Sequence, residues 1–103
     1  MSIRELISGG RGRAGSGGSW RIVDVPASAS YPARRELWHY STRMLSWNPA
    51  NPADPAVLDY STGNGSVSDQ GGMNTAFGLL GLPLRFDRDA RGGGPRISTL
   101  PRV

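Results

Sequence analysis

Residues 60 to 83, YSTGNGSVSDQGGMNTAFGLLGLP, constrain the local structure more tightly than any other stretch of this chain. The run reads as a strand, a glycine-rich turn and a capped helix in quick succession. Ser66 and Asp69 stand in the S-x-x-D spacing of a capping box, which opens a helix running to about Leu80. Met73, Phe77 and Leu80 share one apolar stripe, while Gly71, Gly72 and Gly78 each weaken the helix by roughly 1 kcal/mol relative to alanine. Such a helix needs a sheet to lean on, and the glycines allow close backbone approach. Gly81-Leu82-Pro83 is a stop signal: a left-handed glycine, an apolar contact, then proline.

The rest of the chain supplies the sheet. Residues 20–25, WRIVDV, read as a strand ended by Pro26. From Glu36 to Trp47 the pattern has period two, with Trp38, Tyr40, Thr42 and Met44 on one side and His39, Ser41 and Arg43 on the other. The prolines of residues 48–56 remove ladder donors and predict a long hairpin tip, after which residues 57–62 return with Leu58 and Tyr60 facing the core. Residues 84–87 and 96–100 complete the set, giving an α+β fold: a small antiparallel sheet of about five strands with one main helix packed on one face. The opposite face, with His39, Ser41, Arg43 and Asp59, is expected to meet solvent or a partner. Residues 1–19 read as a short helix over residues 2–8 followed by a Gly/Arg-rich flexible arm, and residues 20–103 as a single domain.

Composition bounds the chemistry. The 103 residues leave room for one modest core, and three Trp, three Tyr and two Phe supply its bulk. Cysteine is absent, which excludes disulfides and thiolate metal sites, and one histidine argues against a His-based metal site. No cofactor is expected. No apolar run approaches a membrane span, and no apolar signal-peptide core follows the start. All twelve basic residues are arginine and the net charge is +4. A GC-rich genome accounts for that bias; arginine also suits bidentate phosphate contact and stacking on bases. The arginines singled out as a nucleic-acid or partner-binding surface are Arg11, Arg13, Arg34, Arg35, Arg43, Arg85, Arg88, Arg91 and Arg96. The last four surround a glycine turn, which reads either as a solvated hairpin with weak local ion pairs or as a mobile basic finger. Trp20, Trp38 and Trp47 read as core or rim packing, with an exposed Trp suited to stacking.

The second candidate site is the turn itself. Gly63, Asn64 and Gly65 permit positive φ, and the amides at the helix start carry the positive end of its dipole. With Ser61, Thr62, Ser66 and Ser68 they form a nest able to hold an anion or ligand; the plainer reading is a tight connection whose hydroxyls only cap. The turn is neither a Walker loop nor a dinucleotide fingerprint. A serine-hydrolase set drawn from Ser66 or Ser68, His39 and Asp59 or Asp69 lacks the G-x-S-x-G elbow. An ADP-ribosyltransferase arrangement of His39 with Tyr60-Ser61-Thr62 lacks a later glutamate, since Glu5 and Glu36 both lie upstream.

The strings HYST, YSTGNGSVSDQGGMN, LGLPLRFDR and GGGPRI, in order between Trp38 and Arg96, resemble a set of small uncharacterised proteins from bacteriophages and prophages. The S-T-G-x-G-S-V-S-D-Q-x-G-M-N string is the specific part. The resemblance implies a setting, a phage accessory or virion protein of a GC-rich host, and no catalytic residue. The expected function is that of a non-enzymatic binding protein engaging nucleic acid or a nucleic-acid-handling host complex. An inhibitor of host defence of the anti-CRISPR kind is its most concrete form. It would act in the host cytoplasm, off the membrane. The alternatives are a structural virion component locking neighbouring subunits, and a small-nucleotide pocket at residues 61–68.

Overall fold

A computed structural model describes residues 1–100, the side chain of Ser16 excepted. The last three positions of the domain expected to reach residue 103 lie outside the described residues. Helix α1 (Ile3–Ile7) is closed by a capping box between Ser2 and Glu5 and buries Leu6 and Ile7. Strands β1 (Arg13–Ala14), β2 (Trp20–Val25), β3 (Arg34–His39), β4 (Thr42–Trp47) and β5 (Asp59–Tyr60) form an antiparallel five-stranded meander in chain order. Helix α2 (Val67–Leu79) follows, then β6 (Leu84–Asp87) and β7 (Arg96–Thr99). The α+β architecture expected from the sequence is present.

The core lies between the sheet, the two helices and β6. Leu6, Ala14, Trp20, Leu37, Leu45, Trp47, Met73, Ala76, Phe77 and Phe86 meet there. Residues 9–19 therefore fold back onto the domain: Ala14 is buried and β1 pairs with the start of β2. Helix α2 starts and ends as its sequence demands. Ser66 and Asp69 exchange both bonds of the capping box. At the far end Gly81 adopts φ +68°, while Gly81 N–H and Leu82 N–H donate to the carbonyls of Gly78 and Phe77, the paired bonds of a Schellman stop. Gly72 lets the Trp20 indole lie against the helix: a Cβ at Gly72 would sit 2.3 Å from Trp20 Cζ2.

Two expectations change. The run from Glu36 to Trp47 is two strands, not one, because the chain reverses at Tyr40-Ser41, with His39 opposite Thr42. The alternation breaks there, and a bulge adjoins Leu37/Trp38 on the β3–β4 ladder. His39 is consequently buried on the helix side, against Trp20, while Trp38 lies half-buried on the outer face with Arg21 and Arg43 as cross-strand neighbours.

The last two strands do not join the main sheet. They form a separate two-stranded sheet because α2 holds one edge of β6. Asn74 Nδ2 donates to the Phe86 carbonyl (2.9 Å), Phe86 N–H donates to Asn74 Oδ1 (2.8 Å), and Arg88 N–H donates to Gln70 Oε1 (2.8 Å). One side-chain amide thus replaces a neighbouring strand and satisfies both groups of Phe86.

Candidate functional site

The nine singled-out arginines fall into two electrostatic groups. Those on β3 and β4 are tied to acids. Arg35 Nε meets Asp24 at 2.8 Å and its NH2 donates to the Gly10 carbonyl. Arg43 bridges Asp59 (2.7 Å) and Glu36 (3.4 Å), and Arg34 Nε meets Glu36 at 3.2 Å. Burial opposes ionisation of Glu36, but hydrogen bonds from Trp38, Arg34 and Arg43 outweigh it and hold the carboxyl below the usual carboxylate range. On the outer sheet face Arg34 and Arg43 are thus paired with Glu36 and Asp59, while Arg21 lies 4.8 Å above the Trp38 ring.

The hairpin arginines differ. Phe86 and Ile97 pair across the β6–β7 ladder on its core side, so the alternating positions Arg85 and Asp87, opposite Ser98 and Arg96, face outward. Arg91 joins them from the turn, where it adopts φ +54°. Arg85, Arg91 and Arg96, with Asp87, Ala90 and Ser98, line a cleft of about 480 Å³. Among the described residues none of these three guanidinium groups has an acidic partner within salt-bridge distance, and Asp87 is the one acid in the cleft wall. Arg88 is exposed beside them without lining the cleft. Arg11 and Arg13 lie outside this cleft, exposed near the start of the chain, where Arg13 NH1 donates to the Gly18 carbonyl.

The glycine-rich turn is already filled. The anion in it is the protein's own Asp69 carboxylate, whose Oδ2 accepts from Asn64 N–H (3.2 Å) and Ser66 N–H (3.1 Å). Gly63 N–H donates to Ser61 Oγ and Gly65 N–H to the Thr62 carbonyl. Ser66 Oγ accepts from Asp69 N–H, while Ser68 is exposed on the first turn of α2. Of the nest expected at Ser61–Ser68, the amides of Gly63, Asn64, Gly65 and Ser66 are engaged internally, which works against a phosphate among them.

The other oxygen of Asp69 makes the least ordinary contact in the molecule. Oδ1 lies 2.6 Å from His39 Nδ1, and both residues are buried, at 3% and 5% exposure. Burial opposes ionisation of Asp69, yet the bonds from His39 and Ser66 more than offset it and keep its pKa below the ordinary value. An ionised Asp69 accepts from Nδ1–H, which fixes the ring's tautomer and orientation. Trp20 stacks on the imidazole at 4.0 Å and Tyr40 lies 4.6 Å away. Nε2 is buried and has no partner among the described residues, a condition that costs about 1–3 kcal/mol. His39, Tyr40, Ser41, Thr42, Asn64 and Ser66 surround a cleft of about 240 Å³.

Of the hydrolase set, the structure unites His39 and Asp69. Asp59 lies on the opposite face with Arg43, and Ser66 is bound to the Asp69 amide rather than to the ring. A dyad of this kind presents one oriented imidazole nitrogen, with no hydroxyl bonded to it. The sequence pattern placed His39 on the outer face; only recognition of the reversal at Tyr40-Ser41 would have moved it beside Asp69. Among the described residues no group of three or more His, Asp or Glu is placed to hold a metal ion. No helix among them is long and apolar enough to cross a membrane. Comparison of the chain with protein-family models, with curated proteins and with solved structures finds no match.

Proposed function

We propose that this chain is a small phage-type binding protein that engages nucleic acid, or a host complex that handles it, through the β6–β7 hairpin and without breaking bonds. The observation that carries the reading is the convergence of Arg85, Arg91 and Arg96 on one cleft with a single acid among them. Three guanidinium groups with no acidic partner among the described residues, on a short hairpin, match the spacing-tolerant, bidentate demand of backbone phosphates. The resemblance to small phage proteins gives the setting, and occlusion of a host defence complex is the most concrete form of the activity. Arg34, Arg35 and Arg43 take a lesser part, since their charges are balanced within the sheet.

The test is fluorescence anisotropy of a labelled single-stranded oligonucleotide across a salt series. Neutralising three to four phosphates on a single strand gives a log–log slope of about −2 to −3, or a roughly 20- to 50-fold loss between 50 and 200 mM salt. The combined variant Arg85→Ala, Arg91→Ala and Arg96→Ala, all at exposed positions, removes most of that slope. Salt-insensitive binding, or an unchanged slope in the variant, would refute the reading.

A further inference from the structure

The cleft beside His39 is separate from the arginine hairpin and has a different chemistry. We propose that it accepts one unpaired nucleobase, which stacks on the exposed Tyr40 ring as that ring swings off the imidazole and uncovers His39 Nε2 as its hydrogen-bond partner; the proposal rests on the nucleic-acid reading above. The orphaned nitrogen comes first. His39 is held between Trp20 and Tyr40 with Nδ1 engaged by Asp69, so its one free polar atom is Nε2. On the neutral ring that atom is an acceptor, suited to the exocyclic amine or ring N–H of a base.

Tyr40 comes second. It occupies the first central position of a two-residue hairpin turn with φ +53°, and Ser41 does not share the positive φ. Glycine is the residue that position favours. A bulky residue held in the left-handed region marks strain tolerated for a purpose. The result is an aromatic ring 69% exposed at the lip of the cleft, the arrangement on which single-stranded bases stack.

The remaining walls settle the class. Ser41, Thr42, Asn64 and Ser66 contribute neutral polar groups, no arginine lines the space, and Asp69 places a carboxylate in its wall. A phosphate is repelled there; an uncharged heterocycle with a donor edge is not. At about 240 Å³ the cleft is smaller than pockets for drug-sized ligands, which run to roughly 300–1,000 Å³, and suits one planar ring system.

The experiment titrates the full chain with cytidine, adenosine and, separately, ribose 5-phosphate while following the His39 imidazole resonances by NMR. Saturable shifts with at least one nucleoside, and none with ribose 5-phosphate, are expected. Tyr40→Gly suits the backbone and keeps the fold, yet weakens nucleoside binding roughly five-fold or more. His39 resonances unmoved by both nucleosides, an equal response to ribose 5-phosphate, or undiminished nucleoside binding in Tyr40→Gly overturns the proposal. The two readings fail separately. An oligonucleotide that binds with a steep salt slope but equally well when wholly abasic overturns the base cleft alone. Nucleoside shifts that persist in a chain whose oligonucleotide binding ignores salt overturn the arginine-hairpin reading alone.

Discussion

Gly72 and Gly78 occupy the same helix but meet opposite surroundings. At Gly72 an added methyl would run into the rigid Trp20 indole, with three ring atoms inside 3.0 Å. At Gly78 nothing lies within 4 Å and the residue is exposed. Gly72→Ala is therefore expected to destabilise by about 1–3 kcal/mol through overpacking. Gly78→Ala is expected to stabilise by about 0.5–1 kcal/mol, since alanine restricts the unfolded chain and favours helix. Urea unfolding of the two variants measures both signs; a stabilised Gly72→Ala would show that the indole does not rest on the helix as described. The same residue-level logic applies at Gly63, where a Cβ would meet Met44 Sδ at 2.7 Å in a backbone already at φ +54°.

Elements in this fold are joined by polar side chains as much as by apolar stripes. Asp69 caps α2, ties the preceding turn and anchors His39 on β3, so one carboxylate joins a helix, a loop and a strand. Its folded-state pKa is depressed, so the unfolded chain takes up the proton more readily. The stabilisation is fully present above the unfolded carboxylate pKa of about 3.9 and is lost as pH falls through the lower folded value. Asp69→Asn is expected to lower stability at neutral pH by about 1.5–3 kcal/mol and to flatten the acid limb of the stability–pH curve. Denaturant midpoints recorded from pH 7 down to pH 2.5 check both, and an acid limb identical in the variant would exclude Asp69 as its source.

The α2 boundaries were legible because capping boxes and Gly-x-Pro stops are local chemistry. The reversal at Tyr40-Ser41 was not, because a tyrosine stands where glycine or asparagine would announce the turn, and missing it inverts the face assigned to every residue from His39 back along β3. The neutralisation of Arg34, Arg35 and Arg43 was equally hidden, as it depends on acids brought from neighbouring strands or paired across the pleat. The exposure of the hairpin arginines was readable from composition around the glycine turn, whereas the separation of β6–β7 into its own sheet depends on Asn74 reaching across from the helix.

At the scale of the whole molecule the N-terminal residues belong to the core. Leu6 is fully buried and α1 packs against α2 and β2. Leu6→Ala is expected to cost about 2–5 kcal/mol, the range for a leucine truncated in a closed core. Thermal unfolding checks this; a loss below about 0.5 kcal/mol, as at surface sites, would show that α1 does not pack on the domain as described. The main sheet has a further property. Both of its flanking strands, Arg13–Ala14 and Asp59–Tyr60, are only two residues long. Strands this short offer little ladder of their own for another chain to extend, although Ile22 to Val25 of β2 run on past β1. Copies of this chain that joined sheet to sheet would have to use that overhang rather than the flanking strands themselves.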